Sequence, residues 1–166
     1  RQLESYLKEI RQNEKSMLAL QEISSIINRS LLLDEILDEA AGKIKHILET
    51  DILSIFVLDP EAGVLNLKVA LGMSDRFAGA IRKMKVGEGF NGWVVETGQP
   101  CSMTDVSRDP RATPALVEEG IRSLHIVPLK SKDKIIGTLG VARRTATPFD
   151  LATVELLTLM GTELGV

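Results

Sequence analysis

The residues best equipped for chemistry are few and widely spaced along the chain. The sequence contains one cysteine, Cys101, and two histidines, His46 and His125. A bound metal needs several ligands that converge at defined spacing, and no such spacing links these residues to neighbouring acids. No serine–histidine–acid motif and no distinct pair of carboxylates stands out from the surface charge. The pattern therefore does not predict an enzyme or a metal site.

Cys101 and His125 each fall within a predicted strand. Cys101 follows Pro100 and is expected to be a small buried residue, because a strand would pack it rather than present it. His125 shares a strand face with Ser123, since side chains alternate along a strand. A histidine in an apolar run is either a core residue satisfied by a hydrogen bond or a residue that contacts a ligand. Both interpretations stay open at this point.

A glycine-containing loop, Gly87-Glu88-Gly89, opens a short helix that carries Phe90 and Trp93. Backbone N–H groups at such a helix start can hold an anion, but the Lys-Ser/Thr of a phosphate-binding P-loop is missing. The plainer interpretation is a tight turn with glycine at positive φ. The two aromatic residues suit a pocket wall and a core equally well.

The hydrophobic period predicts the elements that must position these residues. Helical spacing covers residues 1–28 and, after a candidate N-cap at Ser30, residues 31–48. Later runs alternate or are β-branched, and local turns join them in pairs. The predicted strands cover residues 52–58, 64–71, 100–104, 123–130 and 134–144, with helices at 74–83, 90–97, 114–120 and from 150. This order predicts an α+β fold, a central antiparallel sheet with helices on its faces, preceded by a long N-terminal coiled-coil helix.

The first predicted helix carries the seam of a coiled coil. Positions spaced 4-3-4-3 are occupied by Tyr6, Ile10, Asn13, Met17, Leu20, Ser24 and Ile27. A helix this long exceeds what a small domain needs for its own core. We expect residues 6–17 to pair with a second copy of the chain and residues 20–27 to pack on the core. The dimer-helix candidates are Tyr6, Ile10, Asn13, Met17 and Leu20, with Asn13 as a polar residue that fixes the register.

Composition excludes several classes of function. The 20 basic and 23 acidic residues give a formal net charge of −3, which argues against nucleic acid as a partner of this segment. One cysteine rules out an internal disulfide and favours a reducing, cytoplasmic compartment. No apolar run approaches the ~20 residues that cross a bilayer, so no membrane partner is expected for this segment. The chain begins with Arg1 rather than Met, and we expect a longer parent protein.

From about Ser30 onward the sequence resembles a GAF domain, a small-molecule sensor module of signalling proteins. The matching motifs are GEG-x-x-GW, TG-x-P, a VPL strand and IGTLGV, which are specific as an ordered set rather than singly. They lie in four segments, residues 51–72, 86–111, 121–144 and 148–161. The resemblance implies an N-terminal linker and dimerisation helix at residues 1–29 and a sensory domain at residues 30–166.

In this family one face of the sheet and the helical insertion enclose a ligand pocket. The resemblance therefore implies which residues of this chain surround such a pocket, although not which ligand fills it. The candidates are Phe77, Ile81, Phe90, Trp93, Met103, Ser123 and His125.

The resemblance also bears on cofactors, and none is expected. Haem-binding relatives use a histidine, and none stands in residues 105–122, which leaves His125 as the residual candidate. Bilin-binding relatives attach the pigment through a cysteine in the helical insertion, beside a histidine. Cys101 lies elsewhere and is followed by Ser102. Relatives that reduce methionine sulfoxide need more than one cysteine.

A cyclic nucleotide is also disfavoured as a ligand, because this chain departs from the motif of the relatives that bind one. The relatives that bind them carry Asn-Lys, then Phe, then an acidic pair. Here Arg143-Arg144 stands where Asn-Lys would, and Thr153-Val154 follows Phe149 where the acidic pair would fall.

Taken together, the sequence predicts a regulatory ligand-sensing and dimerisation domain of a cytoplasmic signal-transduction protein. The parent would be a histidine kinase of a two-component system, a cyclic-dinucleotide enzyme or a transcription activator. Two alternatives stay open: a structural dimerisation or spacer domain without a ligand and, less favoured, a redox or metal-dependent enzyme on the same fold.

Overall fold

The computed structural model describes residues 2–164, including their side chains except at positions 19, 20, 22–33, 36, 37, 163 and 164. The chain divides into two compact units, residues 1–40 and 41–166. The helices are α1 (Gln2–Ile47), α2 (Asp75–Ala80), α3 (Gly89–Thr97), α4 (Pro114–Glu118) and α5 (Leu151–Leu164). The strands are β1 (Ile52–Asp59), β2 (Val64–Leu71), β3 (Lys83–Lys85), β4 (Cys101–Met103), β5 (Ser123–Ser131) and β6 (Lys134–Arg143).

Residues Gln2–Ile47 form one helix, α1, where the sequence pattern predicted two. Ser30 lies inside this helix and does not begin a second one. The physical reason is that no glycine or proline occurs before Gly42, so nothing forces the backbone out of helical geometry. The helix gives way to a turn in which Glu49 adopts a φ of 50°, and β1 follows.

The first part of α1 exposes apolar side chains. Tyr6, Ile10 and Met17 are 64%, 53% and 61% exposed, and Asn13 is exposed beside them. The side chain of Leu20 lies outside the described residues. The seam is thus on a helix, as predicted, while the coiled coil itself stays a prediction.

The sheet has six antiparallel strands in the order β3-β2-β1-β6-β5-β4. Both predicted strand pairs are confirmed, β1 with β2 and β5 with β6. The edge strand β3 was not predicted, because it has three residues and two of them are lysines. The central position of β1 agrees with its run of five buried residues from Ile52 to Phe56.

The pairing register divides the central strands between two faces. Ile52 and Ser54 of β1 pair with Ala142 and Gly140 of β6, and this face continues onto β5 through Leu124 and Ile126. We call it the cavity face. The opposite face carries residues such as Leu53, Leu139 and Val127, and α5 packs against it where Gly161 approaches β5.

Helix α3 is held against β3 by a close backbone approach. A Cβ atom at Gly92 would lie 2.6 Å from the carbonyl oxygen of Lys85 and 2.9 Å from the nitrogen of Gly87, so only glycine fits. The nitrogen of Gly87 in turn donates to the carbonyl of Gly92 at 3.0 Å. This contact fixes the start of α3 beside the sheet.

Candidate functional site

A cavity of about 370 Å³ lies between the cavity face of the sheet and the helices α2, α3 and α4. Its volume is within the range of small-molecule sites. Most of its wall is apolar, formed by Ile52, Phe77, Ile81, Phe90, Leu116, Ile121, Leu124 and Ile126. A cluster of buried apolar residues from the same elements surrounds it.

Polar groups interrupt the apolar wall at a few points. Ser54 and Asn91 lie towards the sheet, where Thr138 Oγ1 donates a 2.8 Å hydrogen bond to Asn91 Oδ1. Glu88 and Lys83 lie on the segment leading into α3. Glu88 Oε2 accepts a hydrogen bond from the backbone nitrogen of Lys85 at 3.1 Å. A molecule in the cavity would therefore meet only a few polar groups, each at a separate place in the wall.

Arg111 is the most strongly held polar group of the wall. Its Nε and Nη2 donate to the two carboxylate oxygens of Asp109 at 2.9 Å each. The guanidinium carbon lies 4.9 Å from the ring centre of Phe90 and 5.1 Å from that of Trp93, within reach of cation–π attraction. The hydrogen bonds from Arg111 lower the pKa of Asp109 to about 2, so the pair stays charged at neutral pH.

A second polar network ties the start of α2 to the end of α4. The nitrogen and hydroxyl of Ser74 donate to the Glu119 carboxylate at 3.0 and 2.6 Å, and the hydroxyl accepts from the nitrogen of Phe77. Arg144 Nη2 donates to Glu119 Oε1 at 3.0 Å and to the carbonyl of Gly72 at 3.2 Å. Burial alone would raise the pKa of Glu119, but the hydrogen bonds from Ser74 and Arg144 hold it below its usual value.

Five of the seven sequence-predicted pocket residues gather on this side of the sheet. Phe77, Ile81 and Phe90 line the cavity itself. Trp93 and Met103 are not part of the wall but contact Arg111 from behind it, with Met103 Sδ 3.8 Å from Arg111 Nη2.

The prediction that Ser123 and His125 line the pocket is wrong, because both residues lie on the face of the sheet opposite the cavity. His125 pairs with Val141, one residue out of phase with the cavity-face residues. Both ring nitrogens of His125 are buried without a hydrogen-bond partner, and its ring lies 6.5 Å from that of Phe149. Burial lowers the pKa of His125. Ser123 donates its hydroxyl to the carbonyl of Thr145 at 2.9 Å.

Cys101 is buried with 4% of its surface exposed, as the strand pattern predicted. Burial raises the pKa of its thiol, against an opposing effect of Arg111. Its side chain is not part of the cavity wall. Among the described residues, no group of three or more His, Cys, Asp or Glu side chains is arranged to hold a metal ion.

Ser54 and Asn91 were not among the predicted site residues. One signal was available in each case: Ser54 is the only polar residue in the run from Ile52 to Leu58, and Asn91 lies in the first turn of the glycine-opened helix. Neither signal says which face the side chain occupies, since that depends on strand pairing.

This architecture, an antiparallel sheet that shares a cavity with short helices, defines the class of sensory domain that the motifs indicated. The sequence profile of the GAF domain family matches residues 32–166. The chain belongs to the GAF domain family, which groups it with signalling domains.

Individual relatives agree with this assignment. The chain is 29% identical over 157 residues to the Nif-specific regulatory protein of Herbaspirillum seropedicae, a match that covers 90% of the chain and 28% of the relative. It thus spans about a quarter of the length of that regulator. Its similarity to domains of such regulators supports a role in signalling.

Two solved structures show the same fold. The GAF domain of a phosphoenolpyruvate-protein phosphotransferase from Coxiella burnetii superposes with a TM-score of 0.72 at 22% identity, covering 80% of both chains. A type II free methionine-R-sulfoxide reductase from Thermoplasma acidophilum gives a TM-score of 0.70 at 17% identity, covering 81% of this chain and 90% of the reductase. None of the described helices combines the length and apolar character needed to cross a membrane.

Proposed function

We propose that this chain is the ligand-sensing domain of a cytoplasmic signal-transduction regulator. In this proposal a small diffusible molecule occupies the cavity, and two copies pair through the first part of α1. The observation that carries the proposal is the cavity of about 370 Å³ with its apolar wall and few fixed polar groups. Its similarity to part of a Nif-specific regulatory protein supports a regulatory parent.

The ligand would act by preferring one arrangement of the helices over another. Its effect on the regulator equals the difference between its affinities for the two arrangements. The helices α2 and α4 are short, cover the cavity and are joined by the Ser74–Glu119–Arg144 network. They are therefore the elements that we expect to respond first to an occupied cavity.

We infer that the domain is not an enzyme and carries no haem, bilin or cyclic nucleotide. The solved reductase shares the fold at 17% identity, but Cys101 of this chain is buried outside the cavity wall. His125, the residual haem candidate, lies on the opposite face of the sheet from the cavity. These placements support a diffusible ligand over a permanent chromophore or a catalytic thiol.

The test is thermal unfolding in the presence of the low-molecular-mass fraction of a cell extract. Ligand binding to the folded state raises the unfolding temperature. We expect a rise for the wild type and none for Ala115→Phe, which places a ring into the cavity from α4. Val117→Phe adds the same ring to the 54% exposed side of α4 and is the matched control. A spacer domain would show no rise in any of the three.

A further inference from the structure

The cavity presents hydrogen-bond donors that the protein leaves unused. Ser54 lies in the wall and is 9% exposed, and its hydroxyl makes no hydrogen bond within the described residues. Asn91 accepts from Thr138 through Oδ1, which leaves the Nδ2 amide group as a donor. Both residues line the cavity, so these groups can donate to a ligand bound there.

Gly140 keeps these donors accessible. It lies between Ser54 and Asn91, and a Cβ atom there would stand 3.0 Å from Ser54 Oγ and 3.9 Å from Asn91 Oδ1. The missing side chain therefore leaves space between these two groups. This small area, formed by Ser54, Asn91 and Gly140, is called the polar floor below.

The start of α3 adds three backbone donors next to the polar floor. Glu88 is the N-cap residue but makes no side-chain cap hydrogen bond, because its carboxylate accepts from Lys85 instead. The first backbone bond of the helix runs from the nitrogen of Gly92 to the carbonyl of Glu88. The N–H groups of Gly89, Phe90 and Asn91, all residues of the cavity wall, are thus uncapped. A helix start of this kind favours negative charge.

Arg111 supplies a further donor from the side wall. Its Nε and Nη2 are occupied by Asp109, and the guanidinium also interacts with the thiol of Cys101. Because Asp109 compensates its charge, Arg111 contributes a directed donor more than a free positive charge. The part of the wall away from these donors is apolar, with Phe77, Ile81 and Leu116.

We propose that the cavity binds a small organic carboxylate with an apolar body. The carboxylate lies at the uncapped start of α3, where Ser54, Asn91 and Arg111 donate to its oxygens, and the apolar body lies against Phe77, Ile81 and Leu116. This inference rests on the proposed function, since it names the ligand class of the same cavity. An acceptor head group suits this site because Ser54 Oγ, Asn91 Nδ2 and the N–H groups at the start of α3 can all donate to it.

Titration calorimetry with hexanoate tests the inference, with hexanamide, hexylamine and nitrate as matched probes. Hexanoate is expected to bind at least about tenfold more tightly than each of the others. Hexanamide and hexylamine lack the negative charge, and nitrate lacks the apolar body. Equal affinity for hexanamide or hexylamine would overturn the carboxylate, and equal affinity for nitrate would overturn the apolar body.

Two variants of the polar floor sharpen the test. Ser54→Ala removes a donor, Gly140→Ala fills the space between Ser54 and Asn91, and each is expected to weaken hexanoate binding about tenfold. Ser102→Ala removes an exposed hydroxyl from β4 and is expected to change nothing. Hexanoate affinity that is unaltered in both floor variants would overturn the inference.

If cell extract stabilises the protein but hexanoate does not bind, the carboxylate is wrong and the sensing function stands. If the extract does not stabilise the protein and hexanoate does not bind, both the carboxylate ligand and the sensing function are wrong.

Discussion

At the scale of single residues, the site is built around Arg111. Its guanidinium is fixed by Asp109, by the rings of Phe90 and Trp93, and by the sulfur of Met103. A long, mobile side chain loses much of its rotamer freedom in such a setting before any ligand arrives. Arg111 therefore lines the cavity with a guanidinium that is already held in place.

The Arg111–Asp109 pair predicts a specific pH dependence of stability. The pKa of Asp109 is lowered to about 2 in the folded protein, against about 3.9 in an unfolded chain. Its stabilising contribution is therefore complete above about pH 5 and is lost as the pH falls from about 4 towards 2. Urea unfolding across this range is expected to show the wild type losing its advantage over Asp109→Asn. A difference between the two that stays constant with pH would contradict the pairing.

Burial makes a second prediction for Cys101. Its thiol is 4% exposed and its pKa is raised, so we expect a thiol reagent at pH 8 to modify it at least about tenfold more slowly in the native protein than in urea. The double variant Cys101→Ser/Ser102→Cys moves the thiol to the exposed neighbouring position and is expected to react rapidly without denaturant. Native Cys101 that reacts as fast as the moved thiol would contradict the burial and revive a redox role.

At the scale of elements, local patterns predicted most of the fold. The pairs β1–β2 and β5–β6 are joined by short turns and carry apolar residues that alternate or, in β1, form an almost unbroken run, so their pairing was evident from the sequence. Strand β3 was missed because its three residues gain their place only by pairing with β2. The sequence pattern predicted a break between two helices at Ser30, because serine is a good N-cap residue. The helix continues through Ser30 because every residue around it is compatible with helical geometry.

The candidate site was harder to predict than the fold. Alternation along β5 correctly placed Ser123 and His125 on one face together, but it does not say which face meets the cavity. That assignment depends on which helices cover each side of the sheet, a long-range property. The helical insertion was easier, since the family resemblance already implied that it covers the pocket, and Phe77, Ile81 and Phe90 do line the cavity. Asn91 was missed because its contact with Thr138 joins positions 47 residues apart.

The Glu119 network gives a prediction at the same scale. Replacement by Ala removes the partner of Ser74 and Arg144, and we expect it to lower the free energy of unfolding by about 1.5–3 kcal/mol. Glu118→Ala is the matched control, because its 3.5 Å ion pair with Arg76 is exposed and is worth less than about 1 kcal/mol. Urea unfolding of both variants measures the difference. Similar losses in the two would show that the network does not hold α2 and α4 together.

At the scale of the whole molecule, α1 serves both compact units. Its first part exposes the apolar seam, and its last turns bury Ala41 and Ile44 in the core of the second unit.

Pairing through the seam predicts the effect of charge on oligomeric state. Ile10→Glu/Met17→Glu buries two unpaired carboxylates in a paired helix and is expected to give monomers in sedimentation experiments. Lys8→Glu/Lys15→Glu places the same side chains on the side of α1 away from the seam and is expected to stay dimeric. A seam variant that sediments as the wild type does would rule out this interface.

Native mass spectrometry of the chain after incubation with the low-molecular-mass fraction of a cell extract tests the central claim most directly, because it reads pairing and ligand together. We expect a dimer that carries one small molecule per chain for the wild type and Val117→Phe, and a dimer without added mass for Ala115→Phe. Bare protein masses for the wild type in the same extract would contradict the sensing function and leave a spacer domain in its place.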